Sequence, residues 1–410
     1  MKIVNVNTND IHGGAARAAY RLHKSLLASA VDSIIFVQSK NSDDYTIIGP
    51  KTFPQKISSK LSPFVDSLPV RFYQSRSKTL FSTALMPSSY VVQKINALKP
   101  DIVHLHWINA GFLKIEDIVK IKAPVVWSLH DMWAFTGGCH YDEGCGGFVQ
   151  SCGKCKVLGS DKPFDLSSRI YNRKRKSFSK FDIQFIALSN WLFNEAKKSS
   201  LLKDKIIHQI PNPIDTIKFA PFDKNQARKL LNLPSNKKLI LFGAVSSTSD
   251  PRKGFIELTE ALKLINTDNA ELVVFGASRP EKENEFKLTT HFLGHLHDDV
   301  SLRILYSAAD VMVVPSLQEN LSNAIMESLA CGTPVVGFDI GGNPDMIEHM
   351  LNGYLARAYD IKDLAYGISW VIEHPEPFVL KKMAREKVLD KFDSSVVAQQ
   401  YISIYKKLIR

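Results

Sequence analysis

Short apolar runs with β-strand character alternate with helical patterns along this 410-residue chain, and they do so in two successive series. Strands that alternate with helices favour parallel sheets covered by helices, which is an α/β architecture. A chain of this length is expected to form about two domains. The first series lies at residues 3–6, 33–37, 102–105, 125–129, 185–188 and 206–210. The second lies at residues 238–244, 272–275, 291–293, 311–314 and 335–338.

The two series predict two α/β domains, linked at residues 213–236, where Pro213 and Pro221 bracket a loop. We place the first domain at residues 1–212 and the second at residues 213–393. Within the first domain the pattern weakens between residues 47 and 89. Four prolines punctuate that stretch: Pro54, Pro63, Pro69 and Pro87. It predicts a long excursion away from the sheet, of the kind that often forms part of a binding surface.

Positive charge is concentrated in the first half of the chain. Residues 1–200 carry 27 Lys and Arg against 15 Asp and Glu, whereas residues 201–410 carry 25 against 26. A local concentration lies at Arg169, Arg173, Lys174, Arg175, Lys176 and Lys180. Such a run is often only a solvated helix face, and the alternatives are attraction to anionic lipid headgroups or to a polyanion. Nucleic acid is the weaker alternative, because no nucleic-acid-binding motif accompanies the charge.

The sequence also indicates the cellular location of the protein. No apolar run reaches the roughly 18 to 20 residues that cross a bilayer. The first ten residues, MKIVNVNTND, run into a strand pattern and do not resemble a signal peptide. We therefore expect a cytoplasmic protein, with peripheral binding to the inner face of the membrane as an alternative.

The segment from residue 314 to residue 347 carries the most functional information, and it reads VPSLQENLSNAIMESLACGTPVVGFDIGGNPDMI. Its apolar residues fit an ordinary strand–helix–strand unit. That unit does not explain why Glu319, Asn320 and Ser322 crowd the carboxyl end of a parallel strand, where open α/β sheets bind ligands. A helix start offers unpaired N–H groups and a positive dipole end, which hold phosphate. Glu327 follows about two turns into the helix.

This segment closely resembles the donor-sugar signature of GT4-type retaining glycosyltransferases: two glutamates with seven residues between them, a CGTPVV strand and a GG-x-P-[ED] motif. The resemblance implies a GT-B fold, in which two Rossmann-like domains face a central cleft. It also implies that the last helix, residues 394–409, packs back on the first domain. The donor would be a nucleoside-diphosphate sugar, and no metal would be needed for catalysis.

The resemblance assigns roles to residues of the second domain. Glu319 would meet the transferred sugar and Glu327 the ribose hydroxyls, while the backbone of Asn320, Leu321 and Ser322 would bind the distal phosphate. Lys253, in the DPRKG motif, would neutralise the diphosphate, with Arg252 beside it. The family commonly has an arginine where this chain reads Val245, Ser246, Ser247 and Thr248. The base would be lined, mainly through the backbone, by Gly276, Leu293, Gly294 and His295.

Two motifs of the first domain occupy corresponding positions. Gly13 and Gly14 follow the first strand and open the first helix, so a tight turn would use them in any case; the resemblance adds a ligand-binding glycine loop. His130 ends an apolar strand beside Asp131. The two could form a structural pair, but the family carries a histidine there that contacts the transferred sugar and the reacting centre.

Four of the five cysteines, Cys139, Cys145, Cys152 and Cys155, lie within 17 residues that are rich in glycine. In a cytosolic protein such clustering favours a structural Zn²⁺ site, although only Cys152 and Cys155 have the strong C-x₂-C spacing. Two disulfides or free thiols are the alternatives, and His140 could replace one sulfur. The aromatic residues around this loop are better explained as core packing than as sugar-stacking platforms.

The sequence therefore predicts a retaining glycosyltransferase that acts on a glycan or lipid-linked acceptor, in the assembly of a cell-surface polysaccharide such as capsule, O-antigen or exopolysaccharide. His130, Glu319 and Lys253 are its predicted catalytic residues. Two other classes stay open: a catalytically silent sugar-nucleotide-binding protein, and a GT-B-like epimerase or phosphorylase. A phosphorylase would also need a cofactor lysine motif, which the sequence lacks.

Overall fold

A computed structural model describes residues 1–243, 250–265, 268–276, 287–296 and 298–409 of the protein. The chain divides into two compact units, Met1–Asn212 with Val397–Arg410, and Pro213–Val396. Each unit is a parallel β-sheet flanked by helices, which confirms the predicted α/β class. Across the described ranges, no helix combines the length and apolar character needed to cross a bilayer.

The sheet of the first unit is fully parallel. Its strands are β1 (Lys2–Asn9), β2 (Asp32–Ser39), β3 (Ile47–Ile48), β4 (Ile102–Leu105), β5 (Val125–Leu129), β6 (Ile183–Ala187) and β7 (Ile207–Gln209). Among the described residues the strand order is β3-β2-β1-β4-β5-β6-β7. β4 and β5 are buried along their whole length, as strands covered on both faces are. That is why they read as unbroken apolar runs in the sequence.

Helices of the first unit cover both faces of this sheet. They are α1 (Gly14–Ala28), α2 (Phe53–Arg71), α3 (Ser89–Ala97), α4 (Ile115–Ile118), α5 (Leu166–Phe178) and α6 (Asn190–Lys198). The sheet is also covered by the end of the chain, helix α14 (Ser394–Ile409), whose Tyr401 and Tyr405 are buried in one core with Ile3 and Val126.

The second unit repeats the architecture with a smaller sheet. Its strands are β8 (Lys238–Gly243), β9 (Ala270–Phe275), β10 (Thr290–Phe292), β11 (Val311–Val314), β12 (Val335–Phe338) and β13 (Gly353–Ala356). In the part of the chain that is described, their order is β10-β9-β8-β11-β12-β13. The helices are α7 (Lys224–Leu230), α8 (Phe255–Leu264), α9 (Asp299–Ala308), α10 (Asn323–Ala330), α11 (Asn343–Met346), α12 (Ile361–Ile372) and α13 (Pro377–Lys391).

Each sheet has a topological switch point, where the strand order changes direction. In the first sheet β1 pairs with β2 on one side and with β4 on the other. In the second sheet β8 pairs with β9 on one side and with β11 on the other. Open α/β sheets bind ligands beyond the carboxyl ends of the strands at such points. The switch points therefore mark where each unit is expected to bind a ligand.

Two features of the first unit differ from what the sequence suggests. The weak, proline-rich stretch contains the 19-residue helix α2, with Pro63 and Pro69 inside it. The basic run on α5 is not uniformly solvated either. Arg173 is paired with Glu116 at 2.7 Å, and Lys174 is completely buried. Part of that positive charge is therefore used inside the fold.

Candidate active site

The switch point of the second unit brings two predicted catalytic residues into direct contact. Lys253 follows β8 and Glu319 follows β11, and the Lys253 Nζ atom lies 2.9 Å from Glu319 Oε2 in a half-buried ion pair. The two loops are also joined through their backbones, since Leu317 N donates to Arg252 O at 2.8 Å. The pair thus lies on a framework fixed by the ends of adjacent strands.

Arg252 lies beside this pair but has its own acid. Its Nη2 atom is 2.7 Å from Asp250 Oδ2, and the carboxyl of Asp250 also accepts from the backbone N–H of Arg252. A ligand anion would therefore compete with Asp250 for the Arg252 guanidinium. The residues that stand where the family commonly has its arginine, Val245 to Thr248, lie outside the described residues.

The glycine pair that follows β12 packs directly on the backbone of Glu319. Gly341 has a φ of +53°, and a Cβ atom built on it would lie 1.9 Å from Glu319 O. Gly342 N donates to the same carbonyl at 3.3 Å. Only glycine fits this close approach, because a side chain would displace the loop that carries Glu319. The motif therefore supports the acid and does not itself have to touch a ligand.

The start of α10 lies next to Glu319 along the chain. Asn320, Leu321 and Ser322 are buried, Ser322 is the N-cap residue, and its hydroxyl makes no capping hydrogen bond. The first turn of α10 has no acidic side chain to offset the positive end of the helix dipole. This start keeps the electrostatic character that favours an anion.

Glu327 lies deeper in the same helix. Its side chain is 3% exposed, and Tyr306 on α9 donates its hydroxyl to Glu327 Oε2 at 2.9 Å. Tyr306 is a site residue that the sequence did not indicate, because its contact depends on how α9 packs against α10.

The predicted base-lining residues meet at the ends of β9 and β10. Gly276 N donates to Gly294 O at 2.7 Å, and Leu293 N donates to Val274 O at 2.9 Å. His295 is exposed just beyond them. The ends of the two strands are thus joined through their backbones. Residues 277–286, which follow Gly276, lie outside the described residues.

In the first unit the switch point carries two hydrogen-bonded imidazoles, a buried His106 and a partly buried His130. His130 follows β5, and its Nε2 atom lies 3.1 Å from Nδ1 of His106, which follows β4. His106 Nε2 lies 3.2 Å from Asn5 Oδ1 on β1. Asn5 Nδ2 in turn donates to Ser33 Oγ and Ile34 O. His106, His130, Trp107 and Asp131 line one pocket.

This chain of contacts sets the tautomers. Because Asn5 uses its N–H₂ group towards β2, its carbonyl faces His106 and must accept from Nε2–H. His106 Nδ1 is then an acceptor, so the proton between the two rings belongs to Nε2 of His130. That leaves Nδ1 of His130 as its hydrogen-bond acceptor.

Both imidazoles are neutral at neutral pH. Burial lowers the pKa of His130 to about 4, and the neighbouring Asp131 carboxylate opposes this only in part. Burial, together with His104 and His130, holds the pKa of His106 well below its ordinary value. His130 is therefore suited to hydrogen bonding and not to presenting a positive charge.

Asp131 fixes the loop that follows it through three hydrogen bonds. Its carboxyl accepts from His140 Nδ1 at 2.6 Å, from Trp107 Nε1 at 3.1 Å and from Trp133 N at 2.8 Å. Burial alone would raise the pKa of Asp131, but these partners outweigh it and lower the pKa. The other ring nitrogen of His140 bonds to Ser82 Oγ at 2.8 Å. Since both nitrogens are used, His140 does not replace a cysteine as a metal ligand.

The cysteine loop shows no zinc site. Cys139, Cys145, Cys152 and Cys155 are all free thiols, and Cys139 and Cys155 are buried. In the described part of the chain, which includes this loop, no group of three or more His, Cys, Asp or Glu side chains is arranged to hold a metal ion. Lys174 fixes the turn that precedes this loop, because its Nζ atom donates to Trp133 O and, at 3.0 Å, to Thr136 O.

The glycine loop of the first unit is open. Gly13 is the N-cap residue of α1 with a φ of +94°, and a Cβ atom on it would meet nothing within 4 Å. Gly13 and Gly14 are both exposed. The loop before them is held by Asp10, whose carboxyl accepts from the backbone N–H groups of Asn41 and Ser42 at 2.8 and 2.7 Å. The geometry leaves room for a ligand at this helix start.

Two parallel α/β units with these features at their switch points have the architecture of GT-B-type glycosyltransferases. The chain belongs to glycosyltransferase family 4. Residues 12–218 match the model described as Glycosyltransferase Family 4, and residues 236–374 match the model described as Glycosyl transferases group 1. This match confirms the resemblance drawn from the sequence.

Solved structures show the same fold. Sucrose-phosphate synthase from Thermosynechococcus elongatus is similar with a TM-score of 0.71 at 19% identity, over 100% of this chain and 99% of that chain. HepE from Anabaena, in complex with UDP-glucose, is similar with a TM-score of 0.69 at 17% identity, over 99% and 100%. At identities this low, the likeness supports the fold alone.

Curated relatives match over part of their length. The N,N'-diacetylbacillosaminyl-diphospho-undecaprenol alpha-1,3-N-acetylgalactosaminyltransferase of Campylobacter jejuni is 28% identical over 251 residues, which are 59% of this chain and 65% of that protein. The alignments span 54 to 65% of the length of three such relatives.

Proposed function

We propose that this protein transfers a sugar, with retention of anomeric configuration, from a nucleoside-diphosphate sugar to a glycan or lipid-linked acceptor. The observation that carries the proposal is the Lys253–Glu319 ion pair, with its 2.9 Å contact, next to the start of α10. The pair and the helix start would offer a cation, an acid and an anion-binding helix end to a diphosphate sugar.

The proposed chemistry needs negative charge to be stabilised on the departing diphosphate. Lys253 would supply a cation, and the N–H groups of residues 320–322 would supply fixed dipoles aimed at the same oxygens. Arg252 would join them on leaving Asp250. These groups would do electrostatically what a divalent metal does in other transferases, so we propose no catalytic metal. When the donor phosphate pairs with the Lys253 ammonium, the Glu319 carboxylate would leave its ion pair and accept a hydrogen bond from a sugar hydroxyl.

The remaining roles follow from the same geometry. Glu327, buried against Tyr306, would accept from the ribose hydroxyls, and the backbone at Gly276 and residues 293–295 would line the base. HepE from Anabaena was solved with UDP-glucose, and we propose a uridine donor as the first to be tried. His130, neutral and with Nδ1 as an acceptor, would take a hydrogen bond from a hydroxyl of the transferred sugar. Gly13 and Gly14 would allow the ligand to approach the first unit.

For the acceptor we propose a lipid-linked glycan used in cell-surface polysaccharide assembly, such as capsule or O-antigen. Two observations support this choice. The Campylobacter relative is named for a diphospho-undecaprenol acceptor. The first 200 residues carry 27 basic against 15 acidic residues, which suits an acceptor presented at an anionic membrane surface. We also propose that the protein acts at the inner face of the membrane.

The test compares Lys253→Ala and Glu319→Ala with wild type. A thermal-shift screen of nucleotide sugars first identifies the donor, since a bound ligand raises the melting temperature. Each variant is then expected to lose sugar transfer and donor hydrolysis by roughly 10² to 10³-fold. Lys263→Ala is the matched control, because Lys263 pairs with Glu260 on the exposed surface of α8 and lies outside the site.

Two outcomes would contradict the proposal. If Lys253→Ala and Glu319→Ala keep the activity of the Lys263→Ala control, the site assignment is wrong. If the wild type binds nucleotide sugars but neither transfers nor hydrolyses them with any acceptor fraction tried, the protein is a silent sugar-nucleotide-binding protein.

Structural zinc in the cysteine loop stays a separate prediction. We propose metal analysis of protein purified under reducing conditions as its test. About one zinc per chain would support the site, and less than about 0.2 would refute it.

A further inference from the structure

Helix α2 turns its apolar side towards solvent. Seven large apolar side chains on or directly after this helix are exposed: Phe53, Ile57, Leu61, Phe64, Val65, Leu68 and Phe72. Phe53 is 75% exposed, Leu61 55%, Phe64 50% and Phe72 87%. At about 100° per residue they fall on one side of the helix. The result is a continuous apolar stripe, which is rare on a soluble surface unless something covers it.

The side of α2 that faces the protein is mostly polar. Its buried residues are Ser62, Asp66 and Val70, one turn apart. Asp66 accepts from Thr83 Oγ1 at 2.7 Å and from Leu85 N at 3.0 Å. The usual arrangement of a surface helix, apolar residues inward and polar residues outward, is therefore reversed.

These anchors hold α2 in that orientation. A Cβ atom on Gly111 would lie 2.7 Å from Ser62 O, so the helix backbone approaches the body of the unit too closely to allow a side chain there. Rotating the helix to bury its apolar stripe would break the three hydrogen bonds that the Asp66 carboxylate accepts and leave a buried carboxylate without partners, which is costly. The apolar stripe is therefore a fixed part of the surface.

The charges around the stripe have one sign. Residues 51–78 contain six basic residues and one acid. The basic residues, all exposed, are Lys51, Lys56, Lys60, Arg71, Arg76 and Lys78. The single acid, Asp66, is buried on the opposite side of the helix. Arg71 also lies over the ring of Phe64, with its guanidinium carbon 4.5 Å from the ring centroid. Apolar side chains bordered by lysine and arginine match the two layers of an anionic lipid surface.

We propose that α2 binds the surface of an anionic lipid bilayer, with its apolar stripe in the headgroup and upper acyl region and its basic residues against the lipid phosphates. A second copy of this chain fits less well, because a symmetric contact would bring two sets of six cations together. The inference rests on the proposed function in one respect only: membrane binding would serve to bring the enzyme to a lipid-linked acceptor. The binding itself needs no substrate.

The experiment is vesicle flotation of the full chain at physiological salt, with phosphatidylcholine vesicles alone and with vesicles that also contain phosphatidylglycerol. Wild type is expected to float with the anionic vesicles only. The triple variant Leu61→Ser, Phe64→Ser, Leu68→Ser is expected to weaken binding at least about tenfold. Lys56→Glu with Lys60→Glu is also expected to weaken binding, and its difference from wild type is expected to shrink as salt is raised, because salt screens the surface charges.

The matched control is Phe378→Ser with Lys382→Glu on α13, where an exposed phenylalanine and an exposed lysine lie one turn apart. It is expected to bind like wild type. A second readout covers the case in which the triple variant fails to fold. Phe64→Trp should show extra fluorescence quenching by brominated lipid relative to wild type.

The proposal is overturned if wild type ignores anionic vesicles, if the control loses binding as strongly as the α2 variants, or if Phe64→Trp adds no quenching. A concentration-dependent dimer that the α2 variants dissociate, without vesicle binding, would identify a second copy as the occupant and also overturn it. Donor hydrolysis is measured in parallel. Hydrolysis without flotation refutes the surface alone, and flotation without hydrolysis refutes the proposed function alone.

Discussion

The two switch points are built for different kinds of interaction. In the second unit the groups at the strand ends are charged: Lys253 pairs with Glu319, and Arg252 pairs with Asp250. In the first unit the groups are neutral, with Asn5, His106 and His130 joined by hydrogen bonds. The same α/β scaffold thus provides an ionic site in one unit and an uncharged one in the other.

This difference has a physical cause. The charged side chains of the second unit lie on loops where they are half-buried, so they keep part of their hydration and need only one partner each. The histidines of the first unit lie at the ends of fully buried strands, where a charged imidazole would be poorly solvated. One switch point therefore carries charged side chains, and the other carries uncharged ones.

The sharpest way to break the ionic site without touching its charges is Gly341→Ala. The new Cβ atom would meet Glu319 O at 1.9 Å, so the loop with Glu319 must shift from its position beside Lys253. We expect sugar transfer to fall by at least roughly 10²-fold, because displacing a positioned group by about 1 Å has effects of that size. Circular dichroism melting should also show a lower melting temperature.

Gly144→Ala separates this clash from simple backbone strain. Gly144 also has a positive φ, +72°, but nothing lies within 4 Å of the Cβ position. This control should cost only the strain of a left-handed alanine, about 1 to 2 kcal/mol, and leave the transfer rate unchanged. Equal activity in Gly341→Ala and Gly144→Ala would show that Glu319 does not depend on the glycine pair.

Local sequence predicted the ionic site well because its parts are close along the chain. The acid, the helix start and the glycine pair lie within residues 319–342, and each has a recognisable signature. The apolar runs at β4, β5, β11 and β12 also matched the observed strands closely, since strands buried on both faces are almost purely apolar. The prediction that Lys253 belongs to this site depended on the family resemblance, because its partner Glu319 is more than sixty residues away.

The sequence predicted only part of the uncharged site in the first unit. His130 was predicted, but Asn5 and His106 were not, because their contact depends on the register of β1, β4 and β5. The HLHW run at the end of β4 was the available signal: two histidines on one face of a strand that ends at the sheet edge. Helix α2 was missed for another reason. Its prolines argue against a helix, although its apolar residues keep the helical spacing.

Acid should affect the stability of the first unit through its neutral histidines. Burial lowers the pKa of His104 from 6.5 to about 3. Between these values the unfolded chain binds a proton that the folded chain does not, so the free energy of unfolding falls as the pH is lowered. One such group contributes at most about 1.4 kcal/mol per pH unit. Denaturant unfolding at a series of pH values should show this slope.

His104→Gln should make that slope shallower by about one group. His208→Gln is the control: burial also lowers the pKa of His208, but it lies half-buried near the edge of the sheet, so its contribution should be smaller. An unchanged slope in His104→Gln would mean that His104 does not stay neutral in the folded protein over this range.

The smallest expected effect tests the hydrogen-bond chain to His130. In Asn5→Asp the new carboxylate would favour protonation of His106, and a protonated His106 would present Nδ1–H to His130 instead of a lone pair. His130 would then lose the partner that sets its tautomer. We expect kcat to fall by about tenfold as pH is lowered through the raised pKa of His106, with little change in donor affinity. Because Asn5 and His106 act through His130, they are positioning residues.

Asn7→Asp is the matched control for this change. Asn7 is buried on the same strand, and its side chain contacts the backbone of Trp107 and Asn9, not His106. It introduces the same buried charge and a comparable loss of stability, but it should leave the pH profile of kcat unchanged. If both variants give the same profile, the buried charge is responsible and the tautomer of His130 does not matter. If only Asn5→Asp becomes sensitive to acid, the first unit works because its histidines stay uncharged, in contrast to the ion pairs of the second.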